Sequence, residues 1–143
     1  MLFRSGIVVA VAQSASAAEV HMYGIDAGNG ALLPCVSLPH MGAVVTRDQL
    51  DRVRRLLALL DREVARRQQF LAVHGFASLS EQRAATAPDE RLPYLLLLID
   101  RWDSFVASFE SVDGGALLKK SIISAFSYSK SACLHITSFM ISC

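Results

Sequence analysis

The chain lacks the residue patterns of disulfide-rich, zinc-binding and membrane-spanning proteins. Its three cysteines, Cys35, Cys133 and Cys143, are far apart, and no two of them form a CxxC pair. This spacing predicts neither a disulfide framework nor a zinc site, and it suits thiols that stay reduced in a cytosolic compartment. No apolar run reaches the roughly 18 residues that a membrane-spanning helix needs.

An excess of charge of one sign is also missing. The 14 basic and 13 acidic side chains leave a net charge of +1, so no overall field attracts nucleic acid or an acidic membrane surface. The hydrophobic fraction of 52% is enough for a packed core and argues against disorder. A length of 143 residues suits one domain at most.

The sequence contains no complete catalytic motif. It has no G-x-x-x-x-G-K-[ST] phosphate-binding loop and no G-x-S-x-G nucleophile motif, and its four histidines lack the spacing of metal ligands. The glycine pairs at 28–30 and 114–115 have no following Lys-Ser/Thr, which makes them turns. We therefore assign no catalytic residue.

Predicted strands alternate with predicted helices along the chain. The strands are Glu19–Asp26, Gly42–Val45, Leu92–Asp100 and Cys133–Thr137. The helices are the segment through Ser16, Thr46–His74, the short helix that follows Ser78, Trp102–Glu110 and Ala116–Ser127. This order predicts an α/β fold with a mainly parallel sheet and flanking helices.

Two of these strands end in an acid, Asp26 and Asp100. Ligands of parallel sheets bind beyond the carboxyl ends of the strands, so both acids are expected near any site. We predict that Val20–Ile25 and Tyr94–Ile99 are neighbouring parallel strands and that Leu97 is fully buried. Asp26 could neighbour the site, but its position alone assigns it no role.

The long predicted helix has a capping box, with Thr46 as N-cap and Gln49 reaching back, and an apolar face that should pack on the sheet. A second capping box, Ser78 with Glu81, opens the short helix. The long helix also carries seven arginines. A nucleic-acid-binding face is one interpretation, but a solvated face is preferred because three acid-first pairs stabilise an exposed helix, namely Asp48 with Arg52, Asp51 with Arg55, and Glu63 with Arg67.

The N-terminal segment has two interpretations. Arg4, the apolar stretch 6–12 and the Ala-x-Ala triplet at 15–17 are typical of a short signal peptide, which would make the product a small secreted protein. The same composition also suits a buried helix, and the rest of the chain favours that interpretation.

Asp100 is the one candidate ligand for a metal or cofactor. An apolar run that ends in Asp has the form of a Walker B strand, whose carboxylate helps to hold the Mg²⁺ of a bound nucleotide. Any buried parallel strand that ends in Asp has this form, so the motif needs support from its surroundings.

Residues 19–110 supply that support, because their order of features resembles the motor domain of the FtsK/SpoIIIE ATPases. The shared features are Tyr23-Gly24-Ile25-Asp26, Gly30, Leu38-Pro39-His40-Met41, Val44-Val45-Thr46, Glu63, Arg66-Arg67, Phe70, Gly75-Phe76 and Leu95–Asp100. The chain looks most like the degenerate modules of actinobacterial multi-module ATPases, including those of type VII secretion. In those modules Gly or Arg and then Trp often follow the acid, as in Asp100-Arg101-Trp102.

The resemblance implies a RecA-like fold, bound ATP and Mg²⁺, hexameric assembly with other ATPase modules, and movement of DNA or secreted protein. It also implies a cytoplasmic location, associated with the membrane in the parent complex. Asp100 would then be the Walker B acid, while Arg101 stands where an active motor has a second acid.

Two hypotheses follow from the family's pattern. In the first, residues 1–118 are part of a nucleotide-binding motor module that lacks its phosphate-binding loop and is inactive alone, and the serine-rich residues 119–143 diverge from the family. In the second, the chain is a non-catalytic interaction module that stacks on other ATPase modules or binds a secretion substrate.

Overall fold

The computed structural model describes residues 2–113 and 134–139. The helices are α1 (Leu2–Ser14), α2 (Leu50–Val73), α3 (Leu79–Ala85) and α4 (Trp102–Asp113), and a 3₁₀ turn spans Leu33–Ser37. The strands are β1 (Val20–Asp26), β2 (Met41–Thr46), β3 (Tyr94–Asp100) and β4 (Leu134–Phe139). All four predicted strands are confirmed. The predicted helix at 116–127 and the turn at 114–115 lie outside the described residues.

The four strands form one parallel sheet in the order β2-β1-β3-β4. Strands β1 and β3 pair in unbroken register from Val20 opposite Tyr94 to Asp26 opposite Asp100. The α/β class and the neighbouring pair of acid-ended strands are therefore confirmed. Leu97 in β3 is 1% exposed, as predicted.

Helices α2 and α4 cover one face of the sheet. Alternate side chains of the strands point to this face, where Ile25, Leu97 and Ile99 pack with Val53, Leu60 and Val64 of α2. Phe105 of α4 completes this cluster and is fully buried. The apolar stripe of the long helix thus packs on the sheet, as its spacing predicts.

Helix α1 and the 3₁₀ turn cover the opposite face. Val8 of α1 is fully buried and lies in one cluster with Met22, Leu32, Val44 and Leu98. This packing agrees with a helix that belongs to the fold, although among residues 6–14 only Val8 is buried and Val9 is 41% exposed. Among residues 2–113 and 134–139, no helix is long and apolar enough to cross a membrane.

The predicted start of the long helix was wrong. Its N-cap is Gln49, which makes no capping hydrogen bond with its side chain, and α2 begins at Leu50. Thr46 instead ends β2, because the N–H of Arg47 donates to the Asp26 carbonyl (3.1 Å) and prolongs the strand pairing. The cap at Ser78 is confirmed: its hydroxyl accepts from the Glu81 N–H at 3.2 Å. The Glu81 carboxylate reaches one residue further back than predicted and accepts from the Ala77 N–H at 2.7 Å.

The arginine-rich surface of α2 is largely solvated, as preferred from the sequence, because Arg52, Arg55, Arg62 and Arg66 are exposed, but Arg67 is an exception. Arg67 is 2% exposed, donates to Glu63 at 2.8 Å and also donates to the Pro93 carbonyl. Of the three predicted pairs only this last one forms as an ion pair, and Arg52 donates to Gln49 instead of Asp48. Arg67 is buried because the carbonyl that precedes β3 offers it a second partner.

Candidate functional site at the carboxyl edge of the sheet

Two buried carboxylates lie side by side where β1 and β3 end. Asp26 and Asp100 are register partners, and they are 1% and 3% exposed. The two acids lie together because β1 and β3 are parallel and each strand ends at its acid, at the same edge of the sheet. Buried acids need hydrogen-bond partners or a cation, so their surroundings decide what each can do.

The Asp26 carboxylate is occupied by the loop that follows it. Its Oδ1 accepts from the N–H groups of Gly28 (3.0 Å) and Gly30 (3.2 Å), and its Oδ2 accepts from the Leu32 N–H (2.8 Å). Gly30 has a φ of 81°, which glycine adopts without strain. Asp26 therefore folds the 27–32 loop back onto its own side chain, and three amides compensate its charge.

This loop lies against the Asp100 carboxylate. The N–H of Ala27 donates to the Asp100 carbonyl at 3.1 Å. A Cβ placed on Gly28 would lie 2.5 Å from Asp100 Oδ2 and 2.8 Å from Arg101 Cγ, closer than real Cβ contacts allow. Gly28 is thus required for the close approach of the loop, a role that the turn signal at 28–30 did not reveal.

Arg101 has a backbone conformation that is rare for a residue with a side chain. Its φ is 59°, in the left-handed region, and its carbonyl accepts from the Phe105 N–H at 3.0 Å as α4 begins. Its half-exposed side chain lies 3.7 Å from the Asp103 carboxylate. The left-handed backbone gives a physical reason why glycine would be tolerated at this position.

The residues at this edge fit part of a magnesium–nucleotide site. No group of three or more His, Cys, Asp or Glu residues that could hold a metal occurs among the described residues. Loop amides bind Asp26, so Asp100, at the end of the central strand β3, is the candidate ligand for a cation. Mg²⁺ in nucleotide sites is held by one or two carboxylates together with the phosphates, so Asp100 fits as one ligand and not as a complete site.

Residues 3–136 match the FtsK/SpoIIIE family. The chain belongs to this family. The resemblance that the motifs of residues 19–110 indicated is therefore confirmed.

The relatives of this FtsK/SpoIIIE chain include type VII secretion proteins. The type VII secretion system protein EssC of Staphylococcus aureus is 31% identical over 118 residues, which are 82% of this chain and 8% of EssC. The ESX-4 secretion system protein EccC4 of Mycobacterium tuberculosis is 33% identical over 132 residues, which are 91% of this chain and 10% of EccC4. The chain thus spans a tenth or less of the length of these two relatives.

Solved structures share the fold. EssC (ATPases 2 and 3) from Geobacillus thermodenitrificans superimposes with a TM-score of 0.78 over 92% of this chain and 24% of that one, at 20% identity. Thermomonospora curvata EccC (ATPases 2 and 3), in complex with a signal sequence peptide, gives a TM-score of 0.71 over 86% of this chain and 22% of that one, at 26% identity. The RecA-like ATPase fold expected from the resemblance is confirmed.

Proposed function

We propose that this FtsK/SpoIIIE chain supplies the Walker B side of a nucleotide-binding module in an ATPase of the type VII secretion kind. Asp100 is the residue that would bind the Mg²⁺ of Mg–ATP. The observation that carries the proposal is the position of Asp100, buried at the carboxyl end of a strand with a parallel neighbour on each side. The division of the chain at residue 118 is part of the same proposal.

Bound Mg²⁺ would neutralise charge on the phosphates. The residues around Asp100 would hold its carboxylate in place as one ligand of the ion. The 27–32 loop, folded on Asp26, holds Gly28 against the Asp100 carboxylate and limits the water around it. Arg101 adds a positive charge directly after the acid. This arrangement favours nucleotide binding over the activation of an attacking water, because Arg101 cannot accept a proton.

We expect the 143-residue chain alone to bind ATP weakly and not to hydrolyse it. Phosphoryl transfer depends on positioning and on charge stabilisation at the phosphates, which the amides and the lysine of a phosphate-binding loop supply. The 143 residues contain no such loop. One carboxylate does not replace it.

The test compares this chain with a form extended upstream to include a phosphate-binding loop. ATP affinity and turnover are measured for both forms, each also as Asp100→Ala and as the control Asp89→Ala, an exposed acid in the loop before β3. Binding that appears only in the extended form and is lost with Asp100→Ala supports the proposal. Robust turnover by the 143-residue chain that Asp100→Ala abolishes would refute it.

A second candidate function is a non-catalytic interaction module. Arg101 favours it, because a cation stands where the family's active members have a second acid. The Thermomonospora neighbour was solved with a signal sequence peptide, which makes a secreted protein a more specific candidate cargo than DNA. The partners would be other ATPase modules, assembled as a hexamer at the cytoplasmic side of the membrane. An extended form that binds its neighbours or cargo equally well without ATP and with Asp100→Ala would favour this second function.

A further inference from the structure

A cleft opens at the end of the sheet opposite to Asp100. It has a volume of about 500 Å³ and lies between the second half of α2 and the amino ends of β1 and β3. Tyr23, Pro93 and Leu95 form its mainly apolar side, which His21 also lines, while Leu59, Arg62 and Arg66 of α2 line the other. At about 3.3 Å per strand residue, Leu95 lies about 16 Å from Asp100 along β3, so the cleft is separate from the carboxyl-edge site.

The helical wall of the cleft has a net positive charge. Its acid, Glu63, accepts from Arg66 Nε and Nη2 at 2.8 and 2.7 Å and from Arg67 Nε at 2.8 Å. These hydrogen bonds, the one from Arg66 foremost, lower the pKa of the Glu63 carboxyl to about 2, so it is ionised at neutral pH. One carboxylate therefore neutralises only part of the charge of Arg66 and Arg67. The third arginine of the cleft, Arg62, adds a further positive charge.

Arg62 and Leu59 present different chemistry side by side, one turn apart on α2. The exposed Arg62 donates with Nε to the Ala58 carbonyl at 3.3 Å, and it makes no ion pair with an acid in the part of the chain that the structure describes. Leu59 is 44% exposed although it lines a cleft. An uncompensated guanidinium next to an exposed leucine suits a ligand with both a carboxylate and an aliphatic side chain.

We propose that this cleft is a docking site for a peptide segment of a partner protein that carries a carboxylate beside a large aliphatic residue. The carboxylate pairs with Arg62, and the aliphatic side chain covers Leu59 and contacts the half-buried Tyr23 and Pro93. The cleft volume of about 500 Å³ lies within the range of about 300–1,000 Å³ that is typical of small-ligand pockets. Docking here does not require a nucleotide.

A nucleic acid is the less suitable occupant. The net charge of the chain is +1, whereas nucleic-acid-binding surfaces rely on an extended positive field. The cleft also has an apolar side and partly neutralised arginines, and aliphatic contacts add little to the binding of a phosphate backbone.

The test uses the 143-residue chain without nucleotide and a short fluorescein-labelled peptide of alternating leucine and glutamate. Fluorescence anisotropy measures its affinity, that of a peptide with glutamine in place of glutamate, and that of a labelled single-stranded DNA oligonucleotide. Arg62→Glu is expected to weaken peptide binding by at least about tenfold, because it replaces a close charge pair by a repulsion. Leu59→Ala should weaken it several-fold, and the glutamine peptide should bind less tightly.

Arg55→Glu is the matched control, because it makes the same change of charge at an exposed residue of α2 outside the cleft. It should change the affinity by less than about twofold at physiological salt, where distant charges are screened. Circular dichroism confirms that each variant is folded. Absence of saturable peptide binding, equal effects of Arg62→Glu and Arg55→Glu, or tighter binding of the oligonucleotide would each overturn the proposal. These outcomes do not depend on Asp100, so they leave the nucleotide proposal to its own test.

Discussion

At the carboxyl edge, Asp26 and Asp100 are the same residue type at partnered positions, but they have different surroundings. Asp26 accepts three backbone N–H groups, while Asp100 lies under Gly28 of the loop that those bonds hold. A carboxylate that organises a loop is bound to the backbone and gains little from a cation. The difference between the two acids arises from six residues of loop and not from the strands.

Asp26→Asn tests the loop at the scale of one residue. The amide group of asparagine keeps one acceptor oxygen and turns the other into a donor, which faces backbone N–H groups. The loss should be about 1.5–3 kcal/mol in the free energy of unfolding, the usual range for hydrogen bonds to a charged group. Urea denaturation measures it. The exposed control Asp103→Asn should cost less than about 0.5 kcal/mol, and equal losses for the two variants would contradict this role of Asp26.

Gly28→Ala tests the close approach to Asp100. The added methyl group would meet Asp100 Oδ2 at 2.5 Å, so the loop must move, at a cost of about 1–3 kcal/mol. Gly6→Ala is a matched control because nothing lies within 4 Å of its Cβ position in α1. That exchange should stabilise the protein by about 0.5–1 kcal/mol, the helix preference of alanine over glycine. Thermal denaturation that shows the same sign for both exchanges would contradict the contact.

At the scale of elements, α2 is tied to the start of β3 by a buried arginine. Arg67 joins Glu63 on its own helix to the Pro93 carbonyl before the strand. Next to it, the buried Gln82 of α3 donates to the Glu90 carbonyl (2.9 Å) and accepts from the Leu92 N–H (3.1 Å). These bonds set the position at which β3 enters the sheet.

The link predicts a loss of stability in acid. Hydrogen bonds from Arg66 and Arg67 depress the folded-state pKa of Glu63 to about 2, below its ordinary value of 4.5. The stabilisation is therefore fully present above about pH 4.5 and is lost as the pH falls towards 2. After allowance for solvent screening, it should amount to about 1–3 kcal/mol.

Glu63→Gln should remove this part of the pH dependence. Urea denaturation at about pH 6, 4 and 3, from above the ordinary pKa of a glutamate to below it, would measure the change in the free energy of unfolding. Glu90→Gln, an exposed acid outside the link, is the control. An unchanged acid profile in Glu63→Gln would show that the ion pairs do not stabilise the fold.

Leu97→Ala tests whether β3 is a central strand. Leu97 is 1% exposed within the cluster between the sheet and α2, so its truncation should cost about 2–5 kcal/mol in the free energy of unfolding. Leu33→Ala is the control, because Leu33 is an exposed leucine of the 3₁₀ turn. A loss below about 1 kcal/mol for Leu97→Ala would contradict the central position of the strand.

At the scale of the whole molecule, the two candidate sites lie at opposite ends of one parallel sheet. The acids are at the carboxyl ends of β1 and β3, and the arginine-lined cleft is at their amino ends. Strands β1 and β3 contribute to both sites, whereas α2 lines only the cleft. A nucleotide and a peptide could therefore bind to this fold at the same time.

The incomplete nucleotide site predicts that Mg–ATP does not stabilise the 143-residue chain. A ligand at a hundredfold excess over its dissociation constant stabilises the folded state by about 2.7 kcal/mol, whereas a ligand far below that constant adds nothing measurable. The melting temperature should therefore be the same with and without about 1 mM Mg–ATP. A form extended through a phosphate-binding loop should melt at a higher temperature with Mg–ATP, and Asp100→Ala should abolish the increase. A clear increase for the 143-residue chain would contradict the expectation.

The local sequence was enough to predict the four strands, the long helix α2 and the position of Asp100 at the end of β3. Apolar runs that end in Asp26 and Asp100 predicted two parallel neighbours, and the spacing of Val53, Leu60 and Val64 predicted the packing face of α2, because periodicity and burial are properties of short segments. The FtsK/SpoIIIE features along residues 19–110 led to the proposal that Asp100 is a Walker B acid.

Contacts between residues distant in the chain were decided by the tertiary structure alone. The sequence could not show that Gly28 touches the Asp100 carboxylate or that Arg67 is buried by the Pro93 carbonyl, because each contact joins segments that only the folded sheet brings together. For the same reason Thr46 ends a strand instead of capping a helix: the carbonyl of Asp26, twenty residues earlier, binds the N–H that follows Thr46. The spacing of residues in a short segment specifies which face of that segment is apolar. Which polar side chain is buried, and which can bind a ligand, depends on the hydrogen-bond partners that the folded chain brings to it.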